Sequence, residues 1–510
     1  MKIIYALFRS SILERLHTCL SEEVDLNPVY VIGDCDNINN VDFKKTIFHS
    51  IKDSRNGIPT KEYKFKYKSN SDDDFHKYIS IYENIAISMM GRQSENQWSF
   101  SYVERVNHFH YLCNFWYEVV KDKNPDVALF RVIPHFASEY VLFYVCKYLK
   151  IKVICEIGTG PFGYGYLVGD IEDQGLISSK DNAIQKIDFV EKFIKENLNS
   201  YSVALPKYML DNFKHQSISS SYKYLMFSIV KDVIRVIWYK NKKISETIKR
   251  IFHPVYDKKS QQDILSFSLH KLRARQEAKK NKKIYYSICK NLHELPKKYV
   301  FFAPNYQPER STMPDAGEFH DMLKILDILS ATVPKDCVVV YKEHPMVFNY
   351  PGKIFFRGHL FRNIEYYDRA QQYSNVVFLK PEEDTFNLIS NAISVVTATG
   401  TIAVQSSIRG TPSVVFGNNW ITGCDAIYKY TSRLELKHYF NELNNSLYNN
   451  ANNANNANNV EIWRMYLKDI YLNGFPEPGL LNVDKDFEIK NSGYIEAILK
   501  ELYKLDEMSK

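Results

Sequence analysis

The sequence predicts an α/β protein whose parallel sheets are flanked by helices, and three observations support that prediction. The chain has 510 residues, too many for one ordinary hydrophobic core, so two or three domains are expected. Short apolar runs alternate with helical stretches, which is the pattern of strands joined by crossover helices. Several of these runs are apolar on both faces, as the buried strands of a parallel sheet are.

The first domain is predicted over residues 1–220. A helix is expected over residues 136–149, and the strand candidates are residues 3–8, 29–32, 127–133 and 152–157. The apolar run behind Met1 superficially resembles a signal peptide, but Arg9 interrupts it after six residues and no small-residue cleavage site follows. We therefore predict a first buried strand there. No apolar run approaches the roughly 20 residues that a membrane-spanning helix needs.

Composition narrows the classes of partner. The net charge is +7, from 66 Lys and Arg against 59 Asp and Glu. This mild excess fits an anionic substrate or an anionic membrane surface, and it is too small to indicate nucleic-acid binding. The eight cysteines are scattered and form no C-x-x-C pair, which favours a reduced, cytoplasmic location. A peripheral position on the inner face of the cell membrane stays open.

Residues 221–296 are predicted to form a basic helical connector, with one long helix over residues 260–293. Within the connector, residues 222–250 hold eight Lys or Arg against two acidic residues, among many aromatic and aliphatic side chains. A basic amphipathic helix of this kind can lie on an anionic membrane. A core helix with a solvated basic edge would have the same composition, so both interpretations stay open.

The second α/β domain is predicted over residues 297–440. The Asn-rich tract that follows, residues 441–459, has too few apolar side chains to bury a core, and we expect a disordered loop there. Residues 460–510 are expected to form terminal helices, at 460–472 and 494–505.

The first motif is Lys342-Glu343-His344-Pro345, at the end of an apolar strand predicted over residues 337–341. Ligands bind at the carboxyl ends of strands in open α/β sheets. Pro345 restricts His344 to an extended conformation, which would hold the imidazole toward the crevice. A Lys beside a His suits a phosphate or diphosphate, through one point charge and one titratable hydrogen-bond donor. A histidine that caps a neighbouring carbonyl is the structural alternative.

The second motif is Thr399-Gly400-Thr401, between a strand predicted over residues 393–396 and a short helix over residues 402–408. The first turn of a helix leaves backbone amides unpaired and has a partial positive charge, and the two threonines add hydroxyl groups. An anion such as a phosphate is expected there. A tight turn can also use Gly and Thr without any ligand.

The third segment follows a strand predicted over residues 299–302. Its sequence, Pro304-Asn305-Tyr306-Gln307-Pro308-Glu309-Arg310-Ser311-Thr312, is dense in hydrogen-bonding groups and stiffened by proline. Taken alone, it has the composition of an ordinary polar loop as well as that of a binding loop.

In their order and spacing, the three motifs resemble the bacterial capsule polysaccharide biosynthesis family, which includes the Kdo transferases of capsule assembly. That family's pattern runs QPE-x-ST-x-P, KEHP, TGT and then G-x-P-x-x-x-FG. The matching segments here are Gln307-Pro308-Glu309 with Ser311, Thr312 and Pro314; Lys342 to Pro345; Thr399 to Thr401; and Gly410-Thr411-Pro412 through Phe416-Gly417. The N-terminal half resembles the family only in its strand–helix layout and in Pro134-His135 after a strand.

The resemblance implies a glycosyltransferase of the GT-B fold, with two Rossmann-like domains facing a central cleft and terminal helices. It places a nucleotide-sugar donor mainly on the second domain, with a CMP-linked acidic sugar such as Kdo as a leading candidate. The acceptor would be a surface polysaccharide or a lipid-linked glycan. No cofactor and no divalent metal are expected, since Lys, His and helix amides would neutralise the phosphate. The residues that it assigns to donor binding are Gln307, Glu309, Ser311, Thr312, Lys342, His344, Pro345, Thr399, Gly400, Thr401 and Gln405.

One residue departs from the family's pattern. The family usually has Glu at the position of Gln405, one helical turn beyond Thr401, where a carboxylate would accept hydrogen bonds from the ribose hydroxyls. Gln accepts such bonds without the assistance of a charge. The sequence therefore defines the identity of the donor less well than the fold.

The candidates for the chemical step lie in the first domain, near the ends of its predicted strands. A transferase needs a base that activates the acceptor hydroxyl, or a nucleophile if it retains configuration. We predict Glu156 or His135 in that role, with Asp170 in reserve. Each of the three also has a structural interpretation, as a polar residue that supports the fold.

Other functions fit parts of the same pattern. Asp34-Cys35-Asp36 follows a predicted strand, and Asp-x-Asp in that place can hold Mn²⁺ or Mg²⁺ on a diphosphate, but the motifs of the second domain argue against it. A polyol-phosphate or glycerophosphate transferase with a CDP-linked donor, or a nucleotide-sugar epimerase, would share the two-domain fold. A non-catalytic assembly factor would keep the fold without the chemistry, and Gln405 is the one residue that favours it.

Overall fold

The computed structural model describes residues 1–34, 38, 41–63, 72–93, 102–175, 187–199, 227, 230, 264–348, 361–446, 452–476 and 493–509. These residues fall into two compact units. The first unit comprises Met1–Gln174 and Lys468–Lys510, and the second comprises Gly175–Leu467. Two sequence-based predictions lie outside the described residues: the basic stretch at 222–250, apart from Phe227 and Val230, and Asp36 of the metal alternative.

The described residues form strands in both halves of the chain. In chain order they are β1 (Lys2–Arg9), β2 (Asn27–Asp34), β3 (Ile47–His49), β4 (Val127–Phe130), β5 (Lys152–Gly158), β6 (Tyr164–Val168), β7 (Cys289–Lys290), β8 (Tyr299–Phe302), β9 (Val338–Lys342), β10 (Val376–Leu379), β11 (Ser394–Thr397), β12 (Ser413–Val415), β13 (Ile427–Lys429) and β14 (Phe475–Pro476).

Helices connect most of these strands. The α-helices among the described residues are α1 (Ser10–Ser21), α2 (Ile51–Arg55), α3 (Asp73–Ser80), α4 (Glu83–Gln93), α5 (Tyr102–Lys123), α6 (Ala137–Tyr148), α7 (Asp188–Asn199), α8 (Ile264–Ile288), α9 (Met322–Thr332), α10 (Ile364–Ala370), α11 (Thr385–Asn391), α12 (Ile402–Ile408), α13 (Arg433–Ser446), α14 (Asn452–Asn473) and α15 (Tyr494–Ser509).

Short polar side chains fix where several helices of the second unit begin. The carboxylate of Asp321 accepts a hydrogen bond from the Leu323 amide at the start of α9 (3.0 Å), and Asp384 does the same for Phe386 in α11 (2.9 Å). Asn363 caps α10 in the same way. Each cap satisfies an amide that has no partner within the helix.

The first sheet has seven strands in the order β14-β6-β5-β4-β1-β2-β3. Strands β1 to β5 pair in parallel, whereas β6 is antiparallel to β5 and β14 is antiparallel to β6. From β1 the chain builds outward through β2 and β3 and then returns to β4 on the other side. This is the doubly wound arrangement of a Rossmann-like fold with an antiparallel edge.

The second sheet also has seven strands, in the order β13-β12-β11-β8-β9-β10-β7, and all its pairings are parallel. From β8 the chain moves through β9 to β10, and it then crosses back to β11 on the other side of β8. Without the short β7, the sequence of strands is the 3-2-1-4-5-6 order of a dinucleotide-binding fold. The strand order therefore reverses between β8 and β11.

These two sheets confirm the predicted α/β class with two Rossmann-like domains and terminal helices, which is the composition of the GT-B fold. The division of the chain differs from the predicted one. The first unit ends at Gln174 instead of residue 220, and it recovers Lys468–Lys510 from the C-terminal end. Tyr494, Ile498 and Leu502 of α15 are buried in the same hydrophobic core as Ile3 and Tyr5 of β1.

The predicted disordered loop at residues 441–459 is wrong for the part that the structure describes. Residues up to Ser446 complete α13, and α14 begins at Asn452 within the Asn-rich tract. The later part of α14 is held by buried apolar side chains, including Trp463 and Leu467. Once that part is packed, extending the helix backward costs little because the unfavourable step of nucleation is already past.

The described residues include no helix that is both long and apolar enough to cross a membrane. The seven cysteines among them are free thiols: Cys19, Cys113, Cys146, Cys155, Cys289, Cys337 and Cys424.

Candidate functional site

The candidate site lies at the carboxyl edge of the second sheet, where the strand order reverses. Ligands of open α/β sheets bind at this position because the loops from the two neighbouring strands diverge and leave a crevice. The loop after β8, residues 303–313, and the turn after β11, residues 398–401, border the reversal. Residues 343–345 follow β9, the other neighbour of β8. All three predicted motifs therefore lie at one edge of one sheet.

Asn305 joins the β8 loop to the β11 turn. Its amide oxygen accepts hydrogen bonds from the Thr397 hydroxyl (3.0 Å) and from the Thr399 backbone amide (3.1 Å). Its amide nitrogen donates to the Thr399 hydroxyl (3.0 Å), which in turn donates to the carbonyl of Ser311. Asn305 is buried, so these bonds fix the two segments against each other without competition from water.

Two of the backbone amides in the β11 turn that were expected to bind an anion already donate hydrogen bonds within the protein. The Thr399 amide is bound by Asn305, and the Gly400 amide donates to the Thr397 hydroxyl (3.2 Å). A Cβ on Gly400 would lie 2.7 Å from that hydroxyl, so a larger residue there would displace the Thr397 side chain. Within the part of the chain that the structure describes, the amides of Thr401 and Ile402 have no hydrogen-bond partner. Of the four backbone amides at this turn, two therefore remain available to bind an anion.

Two predicted side chains complete this face of the site. Thr401 precedes α12 without capping it, and Gln405 lies one helical turn further on. Both are partly exposed, and neither side chain bonds to any residue that the structure describes. Both side chains are therefore accessible at the start of α12.

The predicted residues of the β8 loop mostly shape the loop itself. The Gln307 amide nitrogen donates to the carbonyl of His320 (2.7 Å). The Thr312 hydroxyl donates to the Glu309 carbonyl (2.8 Å) and accepts from the Glu309 amide (3.2 Å), and the Ser311 hydroxyl donates to the Glu309 carboxylate (3.3 Å). The peptide bonds Gln307–Pro308 and Met313–Pro314 are cis.

The segment after β12 presses directly on these loops. A Cβ on Gly417 would lie 2.5 Å from the Thr399 side chain and 2.6 Å from backbone atoms of Asp315 and Ala316. Asn419 adds a hydrogen bond from its amide nitrogen to the Thr399 carbonyl (2.9 Å). The glycine of the predicted Phe416-Gly417 ending is therefore needed for close approach of three chain segments.

Lys342 does not face the crevice, contrary to the sequence-based prediction. Its ammonium group donates to the carbonyls of Pro381 (3.2 Å) and Glu383 (3.1 Å) and to the Thr385 hydroxyl (2.7 Å). An ammonium group has three hydrogens to donate, and all three are used. Burial lowers the pKa of Lys342 to about 8, with the neighbouring Asp384, Glu383 and Glu382 opposing the shift. Lys342 thus holds the loop after β10.

His344 keeps the conformation that Pro345 was expected to impose, with φ −63° and ψ 132°. Its Nδ1 accepts a hydrogen bond from the Met346 amide (3.2 Å), so the proton of the neutral ring resides on Nε2. Burial, with the Lys342 charge adding to it, lowers the pKa of His344 to about 4. The residue as a whole is partly exposed, and among the described residues Nε2 has no hydrogen-bond partner. His344 therefore presents a neutral N–H group at the end of β9.

A buried ion pair that no sequence motif indicated lies among the loops at the carboxyl edge of the second sheet. The guanidinium of Arg362 donates from Nε to Oε1 of Glu343 (2.8 Å), and neither side chain is exposed by more than 2%. Oε1 also accepts from the hydroxyls of Tyr341 (2.5 Å) and Tyr367 (3.1 Å). One signal for Glu343 was available: a strand with a buried Tyr341 places Glu343 on the same buried face, where a carboxylate needs a cationic partner.

The first unit separates its three predicted catalytic residues. Glu156 lies inside β5 and not at its end, and its Oε1 accepts from Arg131 (2.5 Å). The pKa of Tyr494 is raised well above its usual range by burial, and the nearby Glu156 carboxylate adds to the shift. Glu156 is therefore half of a buried ion pair beneath α15.

Asp170 follows β6, which runs antiparallel to β5, so it lies at the opposite edge of the sheet from the carboxyl ends of β1 to β5. It pairs with Lys147 and accepts a hydrogen bond from the Glu172 amide (3.0 Å). The sequence-based prediction of a reserve base at Asp170 did not include the hairpin between β5 and β6, which reverses the direction of the chain. His135, which follows β4, does lie at the carboxyl edge.

Of the three predicted catalytic residues, His135 is the one at the carboxyl edge of the first sheet. Its Nδ1 lies 2.8 Å from the Ile133 carbonyl and can only donate to it, so Nε2 is the basic nitrogen of the neutral ring. The side chain is partly exposed. As for the metal alternative, the described residues contain no group of three or more His, Cys, Asp or Glu that could hold an ion.

No family model matches this sequence, and no curated protein matches it. Solved structures to which this chain shows some similarity include the UDP-GlcNAc 2-epimerase of Methanocaldococcus jannaschii. It is 12% identical, the match covers 87% of this chain and 92% of that chain, and the TM-score is 0.22. Thermosulfurimonas dismutans KpsC, a beta Kdo 2,7 transferase, is 14% identical over 37% of this chain and 52% of that chain, with a TM-score of 0.21.

A glycosyltransferase from Rickettsia africae ESF-5 is 9% identical over 94% of this chain and 99% of that chain, with a TM-score of 0.24. With identities and TM-scores this low, these similarities carry no argument about the fold, substrate or activity of this chain.

Proposed function

We propose that this protein is a glycosyltransferase that binds a nucleotide-activated sugar at the carboxyl edge of its second sheet. The observation that supports the proposal most directly is the bridge from Asn305 to Thr397 and Thr399, which assembles two loops at the reversal of a 3-2-1-4-5-6 sheet. That reversal is the place where such sheets bind nucleotides. The buried bridge would keep the crevice in one shape before any ligand arrives.

The groups that have no hydrogen-bond partner among the described residues have the chemistry that a phosphate needs. The Nε2–H of His344 would donate to one phosphate oxygen, and the amides of Thr401 and Ile402 to another. The strands β9 and β11 are separated by β8 alone, so their ends lie roughly 10 Å apart. A sugar phosphate joined to a nucleoside is large enough to bridge that distance, with Gln405 accepting from the ribose hydroxyls.

The finer assignment follows the resemblance of the motifs. We take a CMP-linked acidic sugar such as Kdo as the first donor to test, and a surface polysaccharide or lipid-linked glycan as the acceptor. His344 is neutral in this site and Lys342 is engaged elsewhere, so hydrogen bonds to the phosphate replace ion pairs. Transfer without a divalent metal is part of the proposal, with His135 as the base that activates the acceptor hydroxyl.

Direct binding tests this proposal. Isothermal titration with CMP, CDP, UDP and GDP, and with sugar-linked forms of each, is expected to show one preferred nucleotide. His344→Ala is expected to weaken that binding about tenfold or more, since it removes a hydrogen bond to a charged oxygen. His293→Ala is the matched control, because His293 belongs to the same unit but lies at the surface with a side chain that is 81% exposed.

The same titrations separate the alternatives. If none of the nucleotides binds, the protein is not a nucleotide-dependent transferase, and the assembly-factor interpretation gains. If CDP-linked glycerol or ribitol binds in preference to the sugar donors, polyol-phosphate transfer is favoured. An activity that disappears with EDTA and returns with Mn²⁺ would contradict the metal-independent mechanism.

A further inference from the structure

The side chain of Arg362 donates four hydrogen bonds to described residues at the carboxyl edge of the second sheet, and no sequence motif pointed to it. It precedes α10, and its side chain is 2% exposed. Nη1 donates to Oε1 of Gln307 (2.6 Å) and to the Phe361 carbonyl (3.2 Å). Nη2 donates to the Asn305 carbonyl (3.4 Å), and Nε donates to Glu343 (2.8 Å).

These bonds connect separate pieces of the candidate site. Glu343 belongs to the segment after β9, whereas Asn305 and Gln307 belong to the β8 loop. Asn305 then reaches the β11 turn through Thr397 and Thr399. On the other side, the Arg362 carbonyl accepts a hydrogen bond from the buried side chain of Asn281 in α8 (2.5 Å). A single guanidinium thus lies between the β9 end and the linked β8 and β11 segments.

Stability alone does not require an ion pair in this place. Replacing a buried ion pair by apolar residues of similar volume is often neutral or stabilising. One oxygen of the pair, Oε2 of Glu343, is buried without a hydrogen-bond partner within the described part of the chain, which is itself unfavourable. The geometry that the pair imposes on its neighbours is then the benefit to consider.

We infer that Arg362 is a positioning residue: it holds the β8 loop against the β9 end and, through Asn305, keeps the β11 turn in its binding-competent arrangement. Being buried, it acts on a ligand only through these loops. A planar guanidinium spans three acceptors in fixed directions, which a lysine ammonium on a flexible stem does not. The inference rests on the proposed nucleotide site for its effect on binding, but not for its effect on the loops.

The first experiment compares Arg362→Lys with the wild type in two measurements. The dissociation constant of the nucleotide that the wild type prefers is expected to rise about tenfold or more. Amide hydrogen exchange in the absence of ligand is expected to accelerate in residues 303–313 and 397–402 together. Arg464→Lys is the matched control, because Arg464 pairs with Glu191 of α7 in the same unit; it is expected to change neither quantity.

A second variant distinguishes a loss of loop positioning from a general loss of folding. Arg362→Met combined with Glu343→Gln keeps side-chain volume and an acceptor for the two tyrosines while it removes both charges. It is expected to unfold cooperatively near the wild-type temperature and still to show fast exchange in both loops. Unchanged exchange in both loops of this variant and of Arg362→Lys would overturn the inference.

The two readouts distinguish failure of the inference from failure of the proposed function. If the wild type binds a nucleotide and Arg362→Lys binds it equally well, the positioning role is refuted and the function stands. If the wild type binds no nucleotide, the proposed function fails. The exchange measurement then decides the inference by itself: linked acceleration of both loops supports it, and its absence refutes it.

Discussion

Asn305 and Thr399 are joined by two hydrogen bonds of opposite direction: the Asn305 oxygen accepts from the Thr399 amide (3.1 Å), and its nitrogen donates to the Thr399 hydroxyl (3.0 Å). The two residues lie on loops that leave neighbouring strands, far apart in sequence. Their pairing holds the β8 loop and the β11 turn together at the carboxyl edge of the second sheet. It is also the contact whose removal is expected to affect both stability and binding.

Asn305→Ala is expected to lower the free energy of unfolding by about 2–4 kcal/mol, because the buried Thr399 amide and Thr397 hydroxyl each lose a partner. Urea unfolding followed by circular dichroism measures the change. Asn391→Ala is the control. Among the described residues, the exposed Asn391 side chain bonds only to Asn387, so its loss is expected to cost much less. Equal effects of the two substitutions would contradict the bridging role of Asn305.

Gly417→Ala is expected to destabilise the second unit by about 1–3 kcal/mol, as overpacking of a close contact does. The added Cβ would lie within 2.6 Å of atoms in three other residues, and two of these contacts are with backbone that cannot rotate away. Thermal unfolding reports the loss. Gly169→Ala, where the nearest atom would be 3.6 Å away, is the control and is expected to leave the melting temperature almost unchanged.

Binding of a sugar nucleotide is expected to be insensitive to pH between about 5.5 and 8 as far as His344 is concerned. Its pKa of about 4 keeps the ring neutral over that range, so the Nε2–H group is always present. Sugar nucleotides suit the titration, since their phosphates lack the ionisation near pH 6 that a terminal phosphate has. An affinity that falls steeply as the pH rises through 6.5, and no longer falls in His344→Ala, would show that His344 acts as a cation.

The same pKa has a consequence for stability. The folded-state pKa of His344 is below that of the unfolded chain, so the unfolded state binds more protons between about pH 4 and 6.5. The wild type is therefore expected to lose stability relative to His344→Asn as the pH falls through this window, by at most about 1.4 kcal/mol per pH unit. Denaturant unfolding at pH 7 and pH 5 measures the difference.

Lys342→Met tests whether Lys342 holds the loop after β10. The substitution removes three hydrogen bonds to Pro381, Glu383 and Thr385, and amide exchange is expected to accelerate in residues 380–386. The pKa of about 8 in the folded state lies below the unfolded value, so the unfolded state binds more protons above pH 8. The stability of the wild type relative to the variant is therefore expected to rise between pH 8 and 10.

A contrary result for Lys342 is equally clear. If exchange in residues 380–386 is unchanged while nucleotide binding is lost, Lys342 reaches the phosphate as its sequence motif suggested. Lys290→Met is a suitable control, because Lys290 is an exposed residue of the edge strand β7 in the same unit.

Much of the architecture could be predicted from the sequence because buried parallel strands are apolar on both faces. The runs at β8, β9 and β11 were recognised in this way, and the carboxyl ends of these strands then gave the three site loops. The direction in which a side chain points is harder to predict from the sequence than the position of a strand. Side chains alternate between the two faces of a strand, and the Lys342 side chain lies on the face of the sheet that packs against α11, not toward the crevice. Its hydrogen-bond partners belong to the loop after β10, and the residues around Lys342 in the sequence do not indicate where that loop runs.

Arg362 and Glu156 both show that a local sequence pattern does not identify the partners of a buried charged residue. Arg362 lies outside every recognisable motif, and its partners come from chain segments after β8 and β9. Glu156 lies beside a Gly-rich turn that suggests an active site, yet its partners are Arg131 and, from the far end of the chain, Tyr494. Charge pairing over long sequence separations is a property of the folded core, and local patterns do not contain it.

The first unit is built from both ends of the chain, since Lys468–Lys510 completes a core that begins at Ile3. During synthesis, strands β1 to β6 therefore leave the ribosome long before β14 can pair with β6 and before α15 can pack on the core that contains β1. Until then, the apolar surface that Tyr494, Ile498 and Leu502 later bury is exposed to water. The second unit has no such delay, so it is expected to finish folding first although its sequence comes later.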